Sequence, residues 1–396
     1  MWTSIRRRLA LAAREHWRWF WREVLAPFMV VRVILVCAAF LSFAFPASQT
    51  YPIATAAARG WQFNPQRWLD MWARWDSGWY LDLAAHGYYL RGDATTVPSN
   101  VAFSPLYPGL TAVVAALVPP SMRSEAVYLA AGLLVSNLSS LAALALLRQL
   151  CLARGLDPAL TRRAVLYLLL FPSAFLLSAF YTEALFLMLS VAAFYAAEKR
   201  AWPAAGLLGA LATLTRPLGV LIVVPLAWHA LAASERQWRP VWRNLLWLGL
   251  IPAAQLLHLM ALYPLTQDLL GPLLAQQAWA RNPAWPWDSF LRPVFYAWHI
   301  TPIDQALAVG GLALCGLTRR ATGAGSYAVH ALLLLLPSLF TGSLLSFSRY
   351  MLVAFPLFVT LAWIGRHPWL DRAIRVGALS GQIAFMALWT RFYWVA

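Results

Sequence analysis

The chain alternates between long apolar runs and short turns that carry most of its charge. Runs such as "LGLIPAAQLLHLMALYPL" are unbroken rather than alternating, which predicts bilayer-crossing helices and not the strands of a membrane barrel. Apolar segments fall at about 25–45, 126–148, 163–180, 183–198, 203–215, 217–233, 244–263, 303–317, 326–343, 350–365 and 376–394. Several are shorter than the ~20 residues a lone membrane helix needs. These are expected among neighbouring helices or beside membrane-inserted loops, where freed backbone groups find partners. A further apolar stretch, "FSPLYPGLTAVVAALVPP" (103–120), opens with a proline-rich bend and is ambiguous from hydropathy alone.

Composition fixes the class. A chain of 396 residues that is 61% hydrophobic and 12% charged is too apolar to be soluble, so the expected fold is an all-α polytopic membrane bundle. The net charge is +16, and of 31 basic residues only Lys199 is lysine. The arginines cluster between apolar runs, so membrane orientation explains them and no nucleic-acid partner is expected. Arg6, Arg7, Arg8, Arg14, Arg18 and Arg22 place the N-terminal arm in the cytoplasm, together with the basic turns at 148–163, 198–200, 236–243, 318–320 and 366–375. A crossing by 103–120 would turn every later basic loop outward. That stretch is therefore expected to lie along the outer interface, which gives about 11 spans with the N-terminus in and the C-terminus out.

The predicted organisation is an amphipathic cytoplasmic arm over 1–24 and one transmembrane domain over 25–396. Two long extracytoplasmic loops are expected, at 46–125 and 264–302. The arm has no compact apolar stretch followed by a small-residue cleavage site, so it reads as uncleaved. The first loop is rich in Trp, Tyr and Asp and is expected to form an ordered outer cap. No internal repeat stands out. Cys37, Cys151 and Cys315 are widely spaced and give neither a disulfide framework nor a metal motif.

On this topology Asp70, Asp76, Asp82, Asp93, Glu125, Glu183, Asp268, Asp288 and Asp304 face outward. "RWDSGWYLDLAAHGYY" (74–89) contains a helix start, at which Asp76 or Ser77 can act as N-cap. Asp76 is thus either a cap or a functional carboxylate. Asp82, six residues on, points elsewhere on a helix, so no metal-binding pair is expected. Trp72, Trp75, Trp79 and Tyr80 suit interfacial anchoring, and aromatic faces also stack on sugar rings. Glu183, in "SAFYTEALFLML", is costly in apolar surroundings unless it meets a partner, water or substrate. Arg216 and Arg349 are single arginines at outer span ends. They either pair with Glu183 or Asp76, or grip a phosphate in the forked guanidinium geometry. Arg281 is a solvated loop charge or a third phosphate contact. Sequences typical of serine hydrolases, zinc proteases, nucleotide-binding loops and paired-cysteine sites are absent.

"RWDSGWYLDLAAHGYY", "FSPLYPGL", "FPSAFLLSAFYTEALFLML", "GALATLTRPLGVLIVVPL", "AQQAWAR" and "SFSRYMLVAFPLF" occur in this order. Together, over about 70–360, they resemble the PIG-V-like mannosyltransferases, in a short bacterial-type version. That family belongs to the GT-C superfamily of polytopic glycosyltransferases. The resemblance implies a polyprenyl-phosphate-linked sugar as donor substrate and work on the extracytoplasmic face of a bacterial inner membrane; no separate cofactor is expected, and the spacing of Asp76 and Asp82 argues against a dedicated metal site. It implies that Asp76, in the place of the family's first-loop acid, is catalytic. Tyr80, Tyr107, Glu183, Arg216, Gln277, Trp279, Arg281 and Arg349 fall in shared motifs and are candidate substrate contacts. The short outer loops separate the chain from eukaryotic members, so the acceptor is an unspecified lipid, glycan or protein. Direct displacement with inversion is expected, because Glu183 is not expected to stand close to Asp76 as a second carboxylate. Rival readings are a ligase or polymerase using a larger lipid-linked donor, and a transporter. Gathering of polar residues at one face and the lack of a repeat argue against a transporter.

Overall fold

The computed structural model describes residues 17–48, 66–233, 238–279, 281–292, 297 and 299–395. Arg6, Arg7, Arg8 and Arg14 of the predicted arm, residues 49–65 of the first outer loop and part of the basic turn at 236–243 lie outside the described residues. Among the described residues all regular structure is helical.

Helix α1 (Ala26–Ser42) starts with Pro27 in its first turn, where a missing N–H costs nothing. It continues backwards through a π-helical turn, so one helix runs Trp17–Ser42 and absorbs the end of the predicted arm. The outer cap contributes α2 (Ser77–His86) and α3 (Leu106–Ala115). The bundle follows with α4 (Glu125–Ala153), α5 (Pro158–Leu170), α6 (Glu183–Glu198) and α7 (Trp202–Thr215). Then come α8 (Val223–Ala233), α9 (Trp238–Leu248) and α10 (Leu250–Thr266). The last part holds α11 (Thr301–Thr322), α12 (Gly325–Leu339), α13 (Phe347–Val353), α14 (Pro356–Ile364) and α15 (Pro368–Thr390).

Every apolar segment expected to cross thus holds a helix, but their lengths differ. Among the described residues Trp17–Ser42, Glu125–Ala153 and Val241–Thr266 are long and apolar enough to cross a membrane alone. The pair α13–α14 reaches that length only together, and it is bent by 85°. Helix α3 has 10 residues and packs on α2 and α4, so its ≈ 15 Å covers about half of a hydrocarbon core.

The core is centred on α6, whose side chains are buried almost throughout as it packs between α4 and α7. Helix α15 lies along α1, and α14 against α5 and α11. Close approach depends on small residues. A Cβ on Gly206 would come to 2.1 Å from the Trp247 carbonyl oxygen, so only glycine lets α7 meet α9 there.

The segment read as a span over 163–180 is not one helix. Helix α5 begins earlier and stops at Leu170, because Pro172 has no N–H to donate and crowds the preceding turn. The chain then runs irregularly through a 3₁₀ turn (Ala174–Leu177) to Glu183, buried almost throughout. Backbone groups so buried need partners. Neighbouring elements supply them through side chains and backbone: Ser140 Oγ donates to Leu177 O, and Ser77 Oγ to Phe180 O at 3.1 Å. Gln382 Nε2 donates to Leu169 O at 3.2 Å, and Phe180 N to Trp72 O at 2.9 Å. This pinned segment carries Tyr181, Thr182 and Glu183 to the outer cap.

Candidate active site

Asp76 is set by the turn before α2. Arg74 is buried, ion-paired to Asp70 at 2.8 Å and stacked 4.5 Å from the centre of the Phe392 ring. Trp75 takes a left-handed conformation (φ 54°) that turns the chain into α2. Asp76 occupies the N-cap position, yet its side chain makes no capping hydrogen bond. Ser77 does not cap either: its hydroxyl accepts from Arg74 N at 3.1 Å and donates to Phe180 O. The Asp76 N–H donates to the Tyr181 hydroxyl at 3.2 Å, which leaves the carboxylate free to turn inward. Of the two alternatives for Asp76, the capping bond is not seen; Arg349 takes the carboxylate instead.

That arginine is Arg349 on α13. Its Nη1 meets Asp76 Oδ2 at 2.8 Å and its Nε meets Glu183 Oε1 at 2.7 Å. Glu183 starts α6, where the helix dipole favours an acid. Its Oε1 also accepts from Arg216 Nη1 at 2.5 Å, while its buried Oε2 has no partner among the described residues. Arg216 stands at the end of α7, which Pro217 terminates. Contrary to the sequence expectation, Glu183 lies only one guanidinium away from Asp76. It is fully buried and held by two arginines. Tyr181 packs under the Arg349 guanidinium, 4.7 Å from its ring centre.

Above this cluster opens a cavity of about 340 Å³. Asp76, Arg216, Arg281 and Arg349 supply its charge, and Pro217, Leu218, Leu273, Pro337 and Phe340 an apolar flank. Arg281 donates to the Tyr350 hydroxyl at 2.5 Å and forms no ion pair among the described residues. Three guanidinium groups thus face two carboxylates, which leaves an excess of positive charge. Tyr80 also lines the cavity, with its hydroxyl 3.4 Å from Thr182 Oγ1. Burial, and then the neighbouring Asp76 charge, pushes that hydroxyl up to about 12. Among the described residues no three His, Cys, Asp or Glu side chains converge as metal ligands would.

Other candidates lie elsewhere. Tyr107 is fully buried, its hydroxyl donating to Gly132 O at 3.0 Å and standing 3.0 Å from Ser136 Oγ. Trp279 packs edge-on against Trp79 and Phe103 outside the cavity lining. Gln277 is also outside it; its neighbour Gln276 lines the cavity and donates to Ala102 O at 3.0 Å. Asp82 turns away to His86, Tyr89 and Asn100. Sequence reading missed Gln276, Ser346 and Tyr350 as lining residues. Tyr350 carries a signal in hindsight, since it follows Arg349 directly.

The helical bundle and its apolar spans make this an integral membrane protein, with its largest cluster of buried charge at one cavity. The chain belongs to the Mannosyltransferase (PIG-V) family, whose model matches residues 22–282. That match includes Asp76, Glu183, Arg216 and Arg281; Arg349 lies beyond it. Among curated proteins the chain has no match. Among solved structures it is similar to the Archaeoglobus fulgidus oligosaccharyltransferase tethered to an acceptor peptide with the NVT sequon. There the TM-score is 0.42 at 12% identity over 94% of this chain and 55% of that one. Similar again is the archaeal oligosaccharyltransferase AglB from Archaeoglobus fulgidus, in complex with an inhibitory peptide and a dolichol-phosphate. Its TM-score is 0.43 at 13% identity, over 91% of this chain and 55% of that one. The chain spans about half the length of these proteins.

Proposed function

We propose that the protein transfers a sugar, mannose by its family, from a polyprenyl phosphate to an acceptor hydroxyl on the outer face of a bacterial inner membrane. The observation that carries this reading is the cavity itself: one carboxylate and three arginines opposite an apolar flank. A polyprenyl-phosphate sugar has the matching parts, namely a polar sugar, an anionic phosphate and an apolar tail. The topology that goes with it has about 11 spans, the short helices included, with the basic turns inside and the cavity outside. One domain, 25–396, holds the whole site, with the loops at 46–125 and 264–302 over it.

Asp76 is the general base. Arg349 engages its Oδ2, and Oδ1 is the oxygen that takes the acceptor proton. As that proton leaves, the acceptor oxygen forms its bond to the anomeric carbon. The bond from that carbon to the phosphate oxygen breaks on the opposite face, so the configuration inverts. The electron pair passes to the phosphate, where Arg216, Arg281 and Arg349 bind the growing charge. Glu183 holds Arg216 and Arg349 in place and is not the nucleophile, since it is fully buried beneath the guanidinium groups and does not line the cavity. Base assistance of this kind supplies ~10²–10⁴-fold in rate.

The test incubates purified protein in lipid nanodiscs with polyprenyl-phosphate mannose and a panel of lipid, glycan and peptide acceptors. Release of polyprenyl phosphate with a mannosylated product supports the reading. Turnover with only a lipid-linked oligosaccharide would assign the larger donor instead. No consumption of either donor across the panel refutes the reading. Chelator in the same assay is expected to leave the rate unchanged.

A further inference from the structure

Six residues that carry a hydroxyl line the cavity, and four of those hydroxyls are committed. Tyr80 stands against Thr182 Oγ1, and Tyr350 accepts from Arg281. Thr215 donates to Leu211 O at 2.9 Å and Thr341 to Ser338 O at 3.1 Å, each within its own stretch of chain. The other two are Ser104, just before α3, and Ser346, just before α13. These residues are 3% and 1% exposed, and neither Oγ has a partner among the described residues. A hydroxyl shut away from water without a partner is a cost that the fold itself does not offset.

Ser346 carries a second cost. It is held at φ 68° and ψ 24°, where a Cβ crowds the backbone and glycine is preferred. The same loop does use glycine at its other left-handed residue, Gly342 (φ 81°). At position 346 the chain keeps a side chain instead. Arg349 N donates to Ser346 O at 3.0 Å, so this serine sits one turn from the guanidinium that enters the cavity. Backbone strain and an unmet hydroxyl coincide at one cavity residue, which points to a ligand that completes the bonding. A serine hydroxyl both donates and accepts, as a sugar hydroxyl does, whereas the charge of a phosphate is met by the arginines.

We propose that Ser104 and Ser346 are specificity-determining residues for the donor: their hydroxyls bond ring hydroxyls of the hexose that is transferred, and the sugar supplies the partners they lack. Rotation about one side-chain bond is enough to turn each hydroxyl to the sugar, with no movement of the backbone. The proposal rests on the reading of the cavity as the site of a polyprenyl-phosphate sugar.

The experiment measures kcat/KM in nanodiscs for the parent, Ser104→Ala and Ser346→Gly, with polyprenyl-phosphate mannose and each of its monodeoxy forms as donor. Binding of free polyprenyl phosphate and thermal unfolding are followed on the same preparations. Ser346→Gly is expected to fold, because glycine suits the left-handed position. The parent is expected to lose ~3–10-fold on a deoxy sugar that lacks a contacted hydroxyl, the worth of one neutral hydrogen bond. Each variant is expected to lose ~3–10-fold on mannose and to become indifferent to removal of one particular sugar hydroxyl, because that contact is already gone. Free polyprenyl phosphate is expected to bind both variants as it binds the parent. A folded variant that still discriminates among the deoxy sugars as the parent does overturns the assignment of that serine. A loss in free polyprenyl-phosphate binding as large as the loss on mannose gives the hydroxyl to the phosphate and overturns it equally. If Ser346→Gly does not fold, Ser346→Ala is read in its place by the same criteria. A parent protein that transfers no sugar from any of these donors removes the reading of the cavity, and this proposal with it.

Discussion

Replacing Asp76 by Asn separates the base from the scaffold. Asn has nearly the same shape and keeps an oxygen for Arg349 Nη1, now 2.8 Å from the carboxylate. No cap is lost, since the Asp76 side chain caps nothing in α2. What changes is one charge in a pair whose side chains are 5% and 19% exposed. Turning that charge-assisted bond into a neutral one costs ~1 kcal/mol of stability. The loss in catalysis is much larger. An amide cannot take a proton from a hydroxyl, so the base contribution of ~10²–10⁴-fold disappears, equal to ~2.7–5.5 kcal/mol of barrier. Donor affinity is expected to hold or tighten, because a negative charge beside the phosphate is removed. The assay is single-turnover mannose transfer in nanodiscs, with binding of the unreactive polyprenyl phosphate measured on the same preparation. A folded Asp76→Asn protein that transfers within about threefold of the parent rate would refute the base assignment.

Arg349→Ala is expected to weaken polyprenyl-phosphate binding by ~10–150-fold, the worth of charge-assisted contacts of ~1.5–3 kcal/mol, as read by titration of the free lipid phosphate. Glu183→Gln leaves Arg216 and Arg349 facing a neutral amide in a buried site, and should cost ~3 kcal/mol in thermal or denaturant unfolding. Tyr107→Phe should lower stability by ~1 kcal/mol through loss of its hydrogen bonds to Gly132 and Ser136 while leaving donor KM unchanged; a raised donor KM would return Tyr107 to the substrate site.

The parts of the site that the sequence made legible are those that violate membrane statistics. Asp76, Glu183, Arg216 and Arg349 stand out because a charge at the outer end of an apolar run demands a partner or a task. Which of these meet is a different matter. The convergence of Glu183 on the same guanidinium as Asp76 depends on the irregular segment before α6, and no local pattern encodes that path. Gln277 and Gln276 differ by one position in a 3₁₀ turn, whose phase a sequence does not reveal. Tyr107 and Trp279 share motifs with true lining residues, yet their faces are settled by packing against Gly132, Trp79 and Phe103. The run at 163–180 misled for a simple reason: hydropathy records that a segment is buried, and only Pro172 hints that it is not helical.

Arg349 bridges parts of the chain that are made at very different times. Asp76 precedes it by 273 residues and Glu183 by 166, whereas Arg216 follows Glu183 by only 33. During synthesis the Glu183–Arg216 pair can therefore close early, on a short hairpin of spans. Asp76 must wait with its carboxylate uncompensated until nearly nine-tenths of the chain has been threaded into the bilayer. Assembly of the charge cluster is thus a late step of biogenesis. Chains that end before α13 carry the family's matched region and still lack the side chain that joins its two acids.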